Sequence, residues 1–161
     1  VPIGAVPISL ANFVICLTAW LLGPKFGTLS VVIYLVLGAI GIPVFSGYGA
    51  GLAKLAGPTG GYLVGYLLLA FIGGMFIEKS KGNPVVSAVG LVLGDAACYV
   101  LGTAWFVFQM QCELGYALTV CVYPFIALDL AKIVVSCIVG ALLRKRLTQA
   151  GVLKLQNAVS E

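Results

Sequence analysis

Long stretches of this chain carry no charged side chain, and they predict where helices cross a membrane. Residues 1–24, 26–53 and 55–77 are uncharged. A helix that spans the hydrocarbon core of a bilayer needs about 20 mostly apolar residues, because its backbone amides must all be hydrogen-bonded within the helix. We therefore predict five membrane spans, which lie near residues 7–22, 27–41, 58–77, 84–107 and 119–143.

The composition favours a membrane protein over a soluble one. Of the 161 residues, 61% are hydrophobic and 9% are charged, and the mean hydropathy is +1.15, whereas soluble domains carry about 25% charged residues. The pattern predicts a single all-α integral membrane domain over residues 1–161. The first predicted span is short and follows an apolar stretch with no initiator Met or charged segment, so we expect a further helix upstream.

The basic residues predict how the spans are oriented. The tail after the last predicted span, residues 144–161, begins with three basic residues, and Lys and Arg concentrate on the cytoplasmic side of membrane proteins. With this tail in the cytoplasm, alternation of the spans also places Lys25, Lys79 and Lys81 there, and only Lys54 among the loop residues lies outside. We predict a multi-pass protein of the bacterial cell membrane with a cytoplasmic C-terminus.

Small residues recur four positions apart along the chain. This spacing lets the backbones of two helices approach closely, although a chain with 21 glycines also produces such pairs by chance. A packing role and a coincidence explain each pair equally well: Gly61 with Gly65, Gly90 with Gly94, and Gly23 with Gly27.

The predicted outer loop, residues 42–57, is longer than most connections between helices. Loops of more than about 12–15 residues are often functional lids, and Gly47, Gly49 and Gly51 allow the backbone to approach a ligand closely. Neither the Walker pattern nor the dinucleotide-binding glycine pattern occurs, so we expect no nucleotide site. The sequence leaves open whether this loop wraps a ligand or only connects two spans.

Two charged side chains lie inside the last predicted span. Burying a carboxylate such as Asp129 in a bilayer costs at least ~2.5–3.5 kcal/mol, so it should face the interior of the bundle and have a partner. Lys132 follows one helical turn later, on the same face, and Phe125 and Ser136 continue this stripe. The pair either allows insertion only, or faces a ligand cavity. We favour the ligand cavity, because ionisable residues inside membranes are usually functional.

Two further polar residues lie within predicted spans. Asp95 has Tyr99 on its face and no basic residue one turn away, and we interpret it as a structural contact with another helix rather than as a ligand-binding residue. Asn12 is a candidate hydrogen-bonding residue for a ligand, because it lies near the outer half of its span.

No catalytic, metal or cofactor site is expected. The chain contains no histidine and five cysteines, and these cysteines show no metal-binding spacing. Most of them lie in apolar helices, where cysteine behaves as a small hydrophobic residue. The two nearest the predicted outer surface, Cys112 and Cys121, could pair, but the sequence does not decide this.

Several blocks of sequence resemble the BioY family, the biotin-binding S components of energy-coupling-factor (ECF) transporters. Tyr99, Gly102 and Trp105 fit one helix of that family, and the segment from Pro124 to Lys132 fits another. Three further blocks also match: Leu22-Gly23-Pro24-Lys25-Phe26-Gly27, Gly38-Ala39-Ile40-Gly41-Ile42-Pro43-Val44-Phe45 and Gly57-Pro58-Thr59-Gly60-Gly61-Tyr62-Leu63.

The resemblance implies a six-helix bundle of which five spans are visible here, with biotin as the transported substrate. It implies partners as well: membrane lipids, a transmembrane coupling protein and two ABC-type ATPases. Asp129 and Lys132 resemble the end of the site that meets the ureido group. The family often has Gln at the position of Ala11, and some members have Asn at that of Gly49. The predicted biotin-binding residues are Asp129, Lys132, Asn12, Phe45, Tyr48, Gly49 and Tyr62.

Two other functions remain open at this point. A membrane-embedded enzyme could use Asp95 and Asp129 as acid and base, although the chain has no histidine. A structural membrane subunit would use its buried charges to stabilise the bundle and would bind no small molecule.

Overall fold

Helices make up most of the chain in the computed structural model, which describes residues 2–3, 6–7 and 10–149. Two short strands, β1 (Pro2–Ile3) and β2 (Val6–Pro7), pair in antiparallel register. Apart from these two strands, the secondary structure of the described residues is helical, which confirms the prediction of an all-α membrane protein. The helices are α1 (Ala11–Ala39), α2 (Leu52–Leu55), α3 (Gly60–Lys79), α4 (Pro84–Met110), α5 (Leu114–Cys121) and α6 (Tyr123–Gln149).

Within the described residues, four helices are long and apolar enough to cross a membrane: α1, α3, α4 and α6. The first of them covers most of both predicted spans, 7–22 and 27–41. Gly23 interrupts its helical geometry with φ 71° and ψ −170°, a backbone conformation that glycine adopts readily.

The chain turns back on itself at Gly23. A Cβ added at Gly27 would lie 3.5 Å from Ala19 Cα, whereas eight residues of one straight helix extend about 12 Å. The segments 11–22 and 24–39 therefore pack side by side. The turn lies where the sequence predicts a cytoplasmic loop around Lys25.

Glycines let α3 and α4 pack closely. A Cβ at Gly65 would lie 2.7 Å from Cys98 Sγ, and one at Gly94 would lie 3.0 Å from Leu69 Cα. Gly61 and Gly90 also face the opposite helix, against Trp105 and Phe76. The packing interpretation of these two predicted pairs is confirmed.

The boundary before the last span differs from the predicted span 119–143. Val122 separates α5 from α6 with φ −117° and ψ −60°, and α6 continues through residue 149. Pro124 lies in the first turn of α6, where its missing N–H costs no helical hydrogen bond. Hydropathy does not detect this break, since both sides are apolar. Residues 150–161 of the predicted tail lie outside the described residues.

The core lies between α1, α3, α4 and α6. It is an apolar cluster of tightly buried side chains that includes Trp20, Leu69, Ile77, Leu91 and Ile133. This packing fixes the relative positions of the helices that carry the polar side chains described next.

Candidate ligand-binding site

A cavity opens between the helices, and its walls combine charged, polar and aromatic side chains. Because α1, α3, α4, α5 and α6 all contribute, the cavity exists only in the folded bundle. It is lined by Asn12, Tyr62, Tyr66, Asp95, Cys98, Tyr99, Cys121, Phe125, Asp129 and Lys132.

Asp129 is held by partners on two helices. Its Oδ1 accepts a hydrogen bond and ion pair from Lys132 Nζ at 2.9 Å. Its Oδ2 accepts a hydrogen bond from the Tyr99 hydroxyl of α4 at 2.5 Å. Asp129 is 6% exposed, so these partners compensate for the loss of water around the carboxylate. The predicted inward orientation of the pair is confirmed.

Asp95 brings a second carboxylate to the same cavity. It lies near the middle of α4, one helical turn before Tyr99. Its Oδ1 accepts a hydrogen bond from Asn12 Nδ2 of α1 at 3.0 Å. The predicted contact with another helix is therefore present, and the side chain also faces the cavity.

Aromatic side chains form another wall of the cavity. The hydroxyl groups of Tyr62 and Thr103 are 2.9 Å apart and hydrogen-bonded. The Tyr62 and Tyr99 rings meet edge to face, with centroids 6.5 Å apart, an arrangement that aromatic pairs prefer. Tyr62 is thereby fixed against α4 beside the Tyr99–Asp129 hydrogen bond.

Four of the seven predicted site residues line this cavity: Asn12, Tyr62, Asp129 and Lys132. The structure does not bring the predicted loop residues to it.

The loop residues pack elsewhere. Phe45 is buried against Gly38 and meets Tyr34 edge to face at 5.4 Å, and Gly49 pairs with Phe45 across a short bridge. Tyr48 is 90% exposed. A binding role for Phe45, Tyr48 and Gly49 stays a prediction.

The prediction omitted six residues that line the cavity: Tyr66, Asp95, Cys98, Tyr99, Cys121 and Phe125. The sequence contains a signal for some of them. Phe125 shares the stripe of Asp129, and Asp95 and Tyr99 are four residues apart on one face. The others come from helices whose relative rotation the sequence does not give.

The side chains of the cavity are suited to recognition of a polar group. Over residues 10–149, no group of three or more His, Cys, Asp or Glu side chains could hold a metal ion. Two carboxylates can accept hydrogen bonds, an ammonium can donate them, and apolar and aromatic walls exclude water. This arrangement can bind a small molecule that carries both N–H and C=O groups on an apolar frame.

Known proteins with similar sequences identify the family. A model of the BioY family matches residues 1–149. The chain belongs to the BioY family. A Thermotoga maritima protein named biotin transporter BioY is 40% identical over 145 residues, which cover 90% of this chain and 85% of that protein. A Pyrococcus horikoshii protein named probable biotin transporter BioY is 37% identical over 140 residues, which cover 87% of this chain and 82% of that protein.

The BioY-family fold also matches a solved structure. That structure is described as the S-component for biotin from an ECF-type ABC transporter, and the match has a TM-score of 0.83 at 36% identity. It covers 90% of this chain and 80% of the other. The predicted S-component fold is confirmed, and this BioY-family member is a multi-pass membrane protein.

Proposed function

We propose that this chain is the biotin-binding S component of an ECF-type uptake transporter, which captures biotin outside the membrane and delivers it inward. The observation that carries the proposal is the cavity in which Asp129, Lys132, Asp95 and Tyr62 converge from three helices. Family membership supports the same function, since the relatives are named as biotin transporters. Their names also speak against the enzyme alternative.

The chemistry of biotin suits this cavity. Its ureido group has two N–H donors and one carbonyl acceptor, and its thioether ring is apolar. In the proposed complex, Asp129 accepts an N–H in a charge-assisted hydrogen bond, and Lys132 contributes positive potential and N–H donors for the carbonyl oxygen. Tyr62 and Phe125 enclose the apolar ring.

Binding of the whole vitamin requires movement. The cavity is about 70 Å³ in this structure, whereas small-molecule sites commonly enclose roughly 300–1,000 Å³. We expect side chains around the cavity to shift when biotin enters, and the outer loop 42–57 is a candidate lid for the tail of the ligand.

We propose that partner proteins supply the energy for transport, since the sequence carries no Walker pattern. We propose that the chain works with a transmembrane coupling protein and two ABC-type ATPases. The solved structure that it matches is itself a component of an ECF-type ABC transporter, which supports this assembly. The proposed orientation has the C-terminus in the cytoplasm.

Native mass spectrometry and titration calorimetry test the function. The chain is purified in mild detergent from cells grown with biotin, and we expect a co-purifying species of biotin mass. After that ligand is removed, calorimetry should show saturable biotin binding by the wild-type chain. The Glu113→Gln variant should bind equally well, because Glu113 is exposed and lies outside the cavity.

Two outcomes would contradict the proposal. Turnover of a lipid-borne substrate by the purified chain would favour the membrane enzyme. A folded chain that binds no biotin in either measurement would favour a structural subunit.

A further inference from the structure

The two carboxylates of the cavity differ in how far their oxygens are already engaged. In Asp129, Oδ1 accepts a hydrogen bond from Lys132 and Oδ2 accepts one from Tyr99. Each of its oxygens therefore has a protein donor before any ligand arrives.

Asp95 is engaged at one oxygen only. Its Oδ1 accepts a hydrogen bond from Asn12 Nδ2 at 3.0 Å. Within residues 10–149, its Oδ2 has no hydrogen-bond partner, although Asp95 is only 6% exposed and lines the cavity. Because Oδ2 is not one of the fully buried polar atoms without a partner, it remains accessible and can accept a hydrogen bond from a ligand N–H.

Asn12 lines the cavity and also holds this carboxylate in place. Its Nδ2 donates to Asp95, and its Oδ1 accepts a weak hydrogen bond from Cys16 Sγ at 3.7 Å. Both ends of the amide are thus used within the protein, which fixes the orientation of the Asp95 carboxylate.

We propose that Asp95 accepts one ureido N–H of biotin and is a specificity-determining residue, with Asn12 as its positioning residue. The inference rests on the proposed function and deepens it. A cyclic urea presents two N–H groups, one on each side of its carbonyl, and the cavity offers two carboxylates on two helices, Asp95 on α4 and Asp129 on α6. Each N–H then has its own acceptor.

The Asp95→Asn variant tests the inference with three ligands. These are biotin and two analogues, in each of which one ureido N–H is replaced by a ring oxygen. The variant is isosteric, and its amide can still accept a hydrogen bond from Asn12 while presenting an N–H to the ligand. We expect biotin affinity to fall roughly tenfold or more, because the N–H of the new asparagine then faces the N–H of the ureido group.

The decisive readout is ligand preference. Wild type should bind biotin more tightly than either analogue, whereas Asp95→Asn should bind one analogue at least as tightly as biotin. Asp129→Asn serves as the control, because it removes the same charge from the same cavity. It should not improve binding of the analogue that Asp95→Asn prefers. A purely structural role for Asp95 would weaken all three ligands by the same factor.

A second variant keeps the inference testable if Asp95→Asn does not fold. Asn12→Ala should weaken biotin binding without changing the order of the three ligands, because it loosens the carboxylate without removing it. An unchanged affinity in Asn12→Ala would overturn the positioning role.

An equal change, or no change, for all three ligands in Asp95→Asn would overturn the role of Asp95 and leave the proposed function standing. Failure of wild type to bind any of the three ligands would overturn the proposed function and this inference with it.

Discussion

At the scale of single residues, the site depends on buried polar side chains that are held by partners on other helices. Asp129 and Asp95 would each be costly to insert into a membrane alone. The Lys132 ion pair, the Tyr99 hydroxyl and the Asn12 amide lower that cost. The same contacts fix the carboxylates in defined orientations, which is what recognition of a small polar group requires.

The Asp129→Asn variant should weaken biotin binding by about tenfold or more, because it replaces a charge-assisted acceptor by a neutral amide. Titration calorimetry in detergent measures the effect. Glu113→Gln removes an equal charge from an exposed position and should bind like wild type. An unchanged affinity in Asp129→Asn would remove Asp129 from the site.

The Tyr99→Phe variant should bind biotin several-fold more weakly, because it deletes the hydroxyl that donates to Asp129 Oδ2 and keeps the ring. The matched control is Tyr116→Phe, since Tyr116 is 56% exposed and lies outside the cavity lining. Equal affinities of the two variants would show that the hydroxyl does not support the site.

At the scale of helices, close packing through glycine determines which side chains meet. A Cβ at Gly65 or Gly94 would lie within about 3 Å of atoms on the opposite helix, 2.7 Å from Cys98 Sγ and 3.0 Å from Leu69 Cα respectively, so α3 and α4 approach at backbone distance. That approach lets Tyr62 of α3 meet Tyr99 of α4 and hydrogen-bond to Thr103. The aromatic wall of the cavity follows from this interface.

The Gly65→Ala variant should destabilise the bundle by about 1–3 kcal/mol, the usual cost of overpacking. Thermal unfolding in detergent should show a lower midpoint temperature. A Cβ at Gly115 of α5 would meet no atom within 4 Å, so Gly115→Ala is the control. A midpoint equal to that of Gly115→Ala would mean that the interface tolerates the added methyl group.

At the scale of the whole molecule, charge distribution and the turn at Gly23 agree with the proposed orientation. The chain has 9 Lys and Arg residues and 5 Asp and Glu residues, and most of the basic residues fall at one end of the predicted spans. The positive-inside rule predicts that this end is cytoplasmic. In the proposed orientation, the loop 42–57 lies on the side from which an uptake system receives its ligand.

Cysteine labelling in intact cells tests this orientation. In a Cys112→Ala background, a membrane-impermeant maleimide should label Tyr48→Cys, because this position is exposed and lies in the predicted outer loop. It should label Lys145→Cys only after the membrane is permeabilised. Labelling of Lys145→Cys in intact cells would contradict the predicted orientation.

Much of the architecture could be predicted from the sequence because it depends on local properties. Apolar runs and the positions of charges indicate a helical membrane protein, and recognising them does not require knowledge of the tertiary structure. The Asp129–Lys132 pair is also local, since residues three apart on a helix share a face. Motifs such as the Gly-Pro-Thr-Gly-Gly-Tyr block identify the family in the same way.

The tertiary structure alone decided which polar residues share the cavity. Asn12 and Asp95 are 83 positions apart and Tyr99 and Asp129 are 30 apart, and no sequence periodicity relates residues on separate helices. It also placed Phe45 against Gly38 rather than in the cavity. The physical reason is that the rotation and distance between helices depend on the packing of their whole surfaces, which a one-dimensional pattern does not specify.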